Sequence, residues 1–134
     1  MRRERLLWTL RCLLAGVLIA AGVLKAGQGV VVVDAAIPAA LALPLNRLVP
    51  WIEIAVGLLL LSERPRPGAW ACLVLCSAFV AVTAYRIASE GWSPDCGCFG
   101  ALRTPLDGWH LALNIALLAM SIATVRGLRR TIPA

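Results

Sequence analysis

"LLWTLRCLLAGVLIAAGVL", residues 6–24, is an apolar run with a single charge, Arg11. A membrane-spanning helix needs about 20 predominantly apolar residues, within a range of about 17–25. This run meets that requirement. Three more runs resemble it: Leu45–Leu61, which contains "WIEIAVGLLLL"; Ala69–Ala88, "AWACLVLCSAFVAVTAYRIA"; and Trp109–Val125, "WHLALNIALLAMSIATV". Backbone polar groups have no water to bond in hydrocarbon, so such runs must be helical. The expected fold class is all-α, an integral membrane bundle of four transmembrane helices in one domain over residues 1–134. The spans fall at about 6–26, 45–61, 69–88 and 109–125, with a polar loop at about 89–107.

The bulk composition agrees. Hydrophobic residues make up 60% of the chain and charged residues 15%, against about 45–50% apolar in soluble domains. Mean hydropathy is +0.84. A soluble core of this size cannot hide so much apolar surface.

Two features qualify the first two spans. "MRRER" before an apolar run also describes a signal peptide. Lys25 and Gln28 follow the run, however, and no small-x-small site ends it, so an uncleaved span is expected. Arg11 precedes Cys12, unlike a lipoprotein attachment site. Pro44 suits a first helical position of the second span, and Pro50 would kink it near its outer end. Residues 27–44 read as a segment packed on the bundle or lying at the interface, as a lid would. Arg11 and Arg86 stand toward run ends, where long side chains snorkel.

Basic residues give the orientation. Arg2, Arg3 and Arg5, then Arg64 and Arg66, then Arg126, Arg129 and Arg130 fall on one side of a four-span layout. Only Lys25, Arg47, Arg86 and Arg103 fall on the other. Basic excess marks the cytoplasmic face. Both termini are then cytoplasmic, and the chain is a multi-pass protein of a bacterial-type inner (plasma) membrane. The net charge of +6 follows from topology and calls for no nucleic acid.

"PDCGCFGA", residues 94–101, then lies outside, where disulfides persist. Cys12, Cys72 and Cys76 lie in the cytoplasmic halves of spans and read as small buried apolar residues. A disulfide wants its Cα atoms about 4.4–6.8 Å apart. Cys96 and Cys98 reach this if the chain bends at Gly97, where a bend has no steric cost. Such a bond closes almost no loop and stabilises little through chain entropy. A small, strained, exposed bridge is instead a labile oxidant. Two readings compete with it. The cysteines could be incidental surface thiols. They could also bind metal: His110 and Asp95 would complete a zinc set, and Cu(I) needs fewer ligands. With one histidine in the chain, no metal is expected.

"AGVLKAGQ" (21–28), "LVPWIEIAVGLLLL" (48–61) and "DCGCFG" (95–100) together resemble the methylamine-utilisation MauE proteins of the DoxX-like superfamily. The resemblance covers nearly the whole chain, four-span layout included. It implies an inner-membrane protein tied to thiol–disulfide chemistry, commonly accompanied by a thioredoxin-like partner. The family's named member is linked to maturation of a disulfide-rich dehydrogenase subunit.

Other polar residues fit around the cysteines. Lys25 and Glu53 lie at similar depth near the outer ends of spans one and two, and an ion pair is expected between them. Its role is a structural clamp or a part in catalysis. Arg86, ten residues before Cys96, would lower a thiol pKa or anchor at the interface. His110 and Asn114 share a face of span four at i, i+4, and Asn114 would bond across helices. Asp107 would cap that span. Trp51, Trp92 and Trp109 read as an outer aromatic belt, or as walls for a quinone ring.

The expected function is that of a membrane thiol–disulfide oxidoreductase. Cys96 and Cys98 exchange electrons with an extracytoplasmic thioredoxin-like protein, with attack at Cys98 near Arg86 or Arg103. Quinone is the expected acceptor, and exported proteins are the clients. The alternatives are a non-catalytic membrane anchor or assembly factor for the thioredoxin-like partner, and a Cu/Zn-binding membrane protein.

Overall fold

A computed structural model of the chain describes residues 2–28, 39–90 and 108–131. They form four helices: α1 (Arg2–Gln28), α2 (Ala39–Leu61), α3 (Pro65–Glu90) and α4 (Gly108–Thr131). Each helix outruns the apolar stretch that announces it. Polar ends such as Arg2–Arg5 and Arg126–Thr131 extend the helices beyond the hydrocarbon, where water can solvate them. The 27 residues of α1 measure about 40 Å at about 1.5 Å each, longer than the roughly 30 Å hydrocarbon core.

Neighbouring helices run antiparallel in a ring. Arg11 meets Leu60 while Lys25 meets Glu53, which fixes α1 against α2. Cys72 meets Ser121 while Thr83 meets Asn114, which fixes α3 against α4. The α1–α2 pair packs most extensively and α1–α4 least. This is an up-down-up-down bundle.

Small residues let α1 and α2 approach. A Cβ on Gly22 would come within 2.6 Å of the Pro50 carbonyl oxygen and 2.7 Å of Ile54 Cγ1. A Cβ on Gly57 would lie 2.6 Å from Ile19 Cγ1 and 3.1 Å from the Ala15 oxygen. Close backbone approach of this kind replaces the hydrophobic drive that lipid removes. The α2–α3 corner is equally tight. Ser62 caps Leu59, Pro65 opens α3, and Gly68 sits against the backbone of Leu59 and Leu60. Proline suits a first helical position because its missing N–H would be unpaired there.

Around its apolar core the bundle keeps several polar side chains inside and exposes large apolar ones. Glu53, Thr83, Asn114, Ser121 and Thr124 are buried, while Leu13, Val23, Leu58, Val74, Val82 and Ile115 are exposed. A lipid-facing surface wants that arrangement. Among the described residues, three helices are long and apolar enough to cross a membrane: Arg3–Gly27, Pro65–Ser89 and Leu111–Arg130. α2, the fourth expected span, is not among these three.

One local expectation is corrected. Pro44 is not the first helical residue, since α2 starts at Ala39 and holds both Pro44 and Pro50 inside. The apolar, alanine-rich residues before Pro44 continue the helix, so part of the expected 27–44 segment is helical. Residues 29–38 lie outside the described residues. Arg11 reaches the turn after α2, at the arginine-rich end of the bundle. Its Nε donates to the Leu60 oxygen at 2.8 Å and its Nη2 to the Ser62 oxygen at 3.0 Å, over the Trp8 ring at 4.9 Å. The end of α2 leaves carbonyls without helical partners, and a cation there also answers the helix dipole.

Candidate functional site

The bundle has two chemically different ends. Arg3, Arg5, Arg64, Arg66, Arg126, Arg129 and Arg130 gather where the chain's first and last helix ends lie, and we call this the basic pole. The opposite pole holds Gln28, Ala39, Glu90 and Gly108, the helix ends that the two long connections join. Trp8 and Trp70 ring the first pole, Trp51 and Trp109 the second, all exposed. Paired aromatic girdles mark two membrane–water boundaries.

Lys25 and Glu53 are brought together near the second pole. Lys25 Nζ donates to Glu53 Oε1, across α1 and α2. The Glu53 side chain is 0% exposed and that of Lys25 17%. Gly22, one turn before Lys25, permits this approach, since a side chain there would push against the Pro50 backbone. Phe79 of α3 supplies a ring 5.1 Å from Nζ, a cation–π contact within the usual reach of about 6 Å. Glu53 Oε2 is buried with no hydrogen-bond partner among the described residues. A carboxylate oxygen so placed can accept a proton or a ligand hydrogen bond.

A second polar contact ties α3 to α4 at similar depth. Asn114 Nδ2 donates to Thr83 Oγ1 at 3.0 Å, both residues being buried. His110 stands in α4 one turn before Asn114. Arg86 lies in the last turns of α3, half-buried, and its carbonyl accepts from Ser89 Oγ at 3.4 Å. The structure therefore joins Lys25 to Glu53 but does not bond Asn114 to either of them. Cys96, Gly97 and Cys98 lie outside the described residues, as do Trp92, Asp95, Arg103 and Asp107.

Deeper in the bundle, Cys72 Sγ and Cys76 Sγ lie 3.9 Å apart, and Ser121 Oγ is 3.4 Å from each. All three are buried and both thiols are free. The i, i+4 spacing of the cysteines was visible in the sequence. The serine from α4 that completes the triangle was not. Among the described residues no three His, Cys, Asp or Glu side chains converge as a metal set would.

An apolar exterior, two aromatic girdles and a buried ion pair near one pole define a polytopic helical membrane protein. Residues 3–127 match the family described as methylamine utilisation protein MauE. A curated relative, methylamine utilization protein MauE of Paracoccus denitrificans, is 32% identical over 136 residues, covering 96% of this chain and 73% of the relative. The chain belongs to the MauE family. No solved structure matches it.

Proposed function

We propose that the chain is a membrane thiol–disulfide oxidoreductase of the inner (plasma) membrane, spanning it four times with both termini cytoplasmic. The supporting observation is the polarity of the bundle. Glu90 and Gly108, the helix ends joined by the segment bearing Cys96-Gly97-Cys98, lie at the pole where basic residues are few. By the positive-inside rule that pole faces out, into a compartment where disulfides form. α2 counts as a span because it packs between α1 and α3 and exposes Leu48, Ile52, Leu58 and Leu59. Methylamine utilisation, the process in the family's description, is the context we assign, with an exported disulfide-containing protein as client.

The chemistry is a two-electron exchange. A thiolate of an extracytoplasmic thioredoxin-like protein attacks Cys98 Sγ in the Cys96–Cys98 disulfide. A mixed disulfide forms and the Cys96 thiolate leaves. The partner's second thiol displaces Cys98, so the partner is oxidised and Cys96 and Cys98 become a dithiol. Quinone then takes two electrons and two protons, giving quinol and restoring the disulfide. Lys25, Glu53 and Arg86 serve this pole as charged positioning groups. Cys96→Ser through Cys98, or Cys98→Ser through Cys96, should stabilise a mixed disulfide with an extracytoplasmic thioredoxin-like protein, recovered by non-reducing electrophoresis. Absence of such an adduct from both variants would favour a non-catalytic anchor and reject the oxidoreductase.

A further inference from the structure

At the basic pole, α3 and α4 part around a groove of about 200 Å³, lined by Arg66, Ala69, Trp70, Val125, Leu128 and Arg129. A water occupies about 30 Å³ of liquid, so the space suits a polyatomic group better than one or two waters. Its floor is apolar, since Ala69, Val125 and Leu128 are buried side chains. Its rim carries two guanidinium groups. Arg129 lies over the exposed Trp70 ring, 4.7 Å from the centroid. A stacked guanidinium uses its face on the indole and keeps its edge N–H donors for an anion that accepts two hydrogen bonds, as a phosphate does. Tryptophan at this level marks the headgroup layer.

Charge and position select the occupant. Arg3, Arg5, Arg64, Arg126 and Arg130 share this pole with the groove's two arginines, against Glu4 and Glu63. A free anion would need only the rim. A lipid would use the whole groove, with its phosphate between Arg66 and Arg129 and its first ester carbons on Val125 and Leu128. We infer that this groove is a headgroup site for an anionic phospholipid. Basic pockets between membrane helices on the cytoplasmic side bind such headgroups. The inference rests on the membrane assignment and is independent of the cysteine chemistry. A lipid seated here would pin the bundle's vertical position, and with it the depth of the opposite pole.

The test is native mass spectrometry of the full chain released from nanodiscs containing phosphatidylglycerol or phosphatidylcholine. Thermal midpoints in detergent are measured in parallel. One basic side chain near an anionic lipid contributes about fivefold, equivalent to about 1 kcal/mol. The wild type should therefore retain phosphatidylglycerol roughly 25-fold better than phosphatidylcholine. Arg66→Gln and Arg129→Gln should each reduce that ratio about fivefold. Arg129→Lys keeps the charge and guards against misfolding; it should give an intermediate loss. Arg126→Gln, exposed at the same pole but outside the groove, should leave the ratio unchanged. Equal retention of the two lipids would overturn the site. So would an Arg126→Gln loss as large as that of Arg129→Gln, which would mean diffuse surface charge. An equal thermal shift from inorganic phosphate at matched ionic strength would reassign the groove to a free anion. Incorporation into nanodiscs reads the membrane assignment separately.

Discussion

Replacing Glu53 by Ala removes the only described hydrogen-bond partner of Lys25 Nζ. Lys25 cannot simply turn to solvent, because its side chain is 17% exposed and packs on Phe79. Removing one partner of a buried pair costs about 3–5 kcal/mol, since the remaining charge is left uncompensated. Partial exposure of Lys25 places the expected loss near the lower end, about 3 kcal/mol. Replacing both charges by apolar side chains of similar volume is often neutral. Lys25→Met with Glu53→Leu should therefore recover most of the loss. The assay is reversible unfolding in mixed micelles, titrated with SDS and followed by tryptophan fluorescence, on wild type, both singles and the double. The coupling energy should be at least about 1.5 kcal/mol, well above the 0.3–0.5 kcal/mol scatter of independent sites. A double variant that loses the sum of the two singles would refute the pairing as a stabilising contact.

Further outcomes follow from specific contacts. Gly22→Ala puts a Cβ 2.6 Å from the Pro50 carbonyl oxygen and should destabilise by about 1–3 kcal/mol. Gly16→Ala meets nothing within 4 Å and should stabilise by up to about 1 kcal/mol in the same titration. Arg11→Met leaves the Leu60 and Ser62 carbonyls without their described donor and should lose about 1.5–3 kcal/mol, the worth of hydrogen bonds to a charged group. Maleimide applied to folded protein in detergent should modify Cys12, which is partly exposed, and spare Cys72 and Cys76 until SDS unfolds the bundle.

Hydropathy made the helices legible because apolar length is a one-dimensional property. Leu6–Leu24 and Ala69–Ala88 announce α1 and α3, though not the polar turns that extend them. Rotation about each axis was far less legible. A helix that is apolar all round carries no stripe to say which face meets a neighbour. Lys25 and Glu53 escaped this limit because two charges at one depth have few other ways to be compensated. Phe79, Ser121 and the carbonyls of Leu60 and Ser62 had no such signal, for each meets its partner only through the register of another helix. The start of α2 was misplaced for a related reason. Pro44 fits a first helical position locally, but the alanines before it continue the turn.

The central claim concerns Cys96 and Cys98, and their redox state in intact membranes tests it most directly. Thiols would be trapped by acid quench and alkylation in membranes with oxidised quinone, in membranes depleted of quinone, and after equilibration with glutathione buffers. Structural bridges lie below about −300 mV and strong periplasmic oxidants near about −120 mV. The account predicts a disulfide in quinone-replete membranes, accumulation of the dithiol on depletion, and a potential between these limits toward the oxidising side. A bridge below the structural limit, or two thiols that stay reduced whatever the quinone, would contradict it.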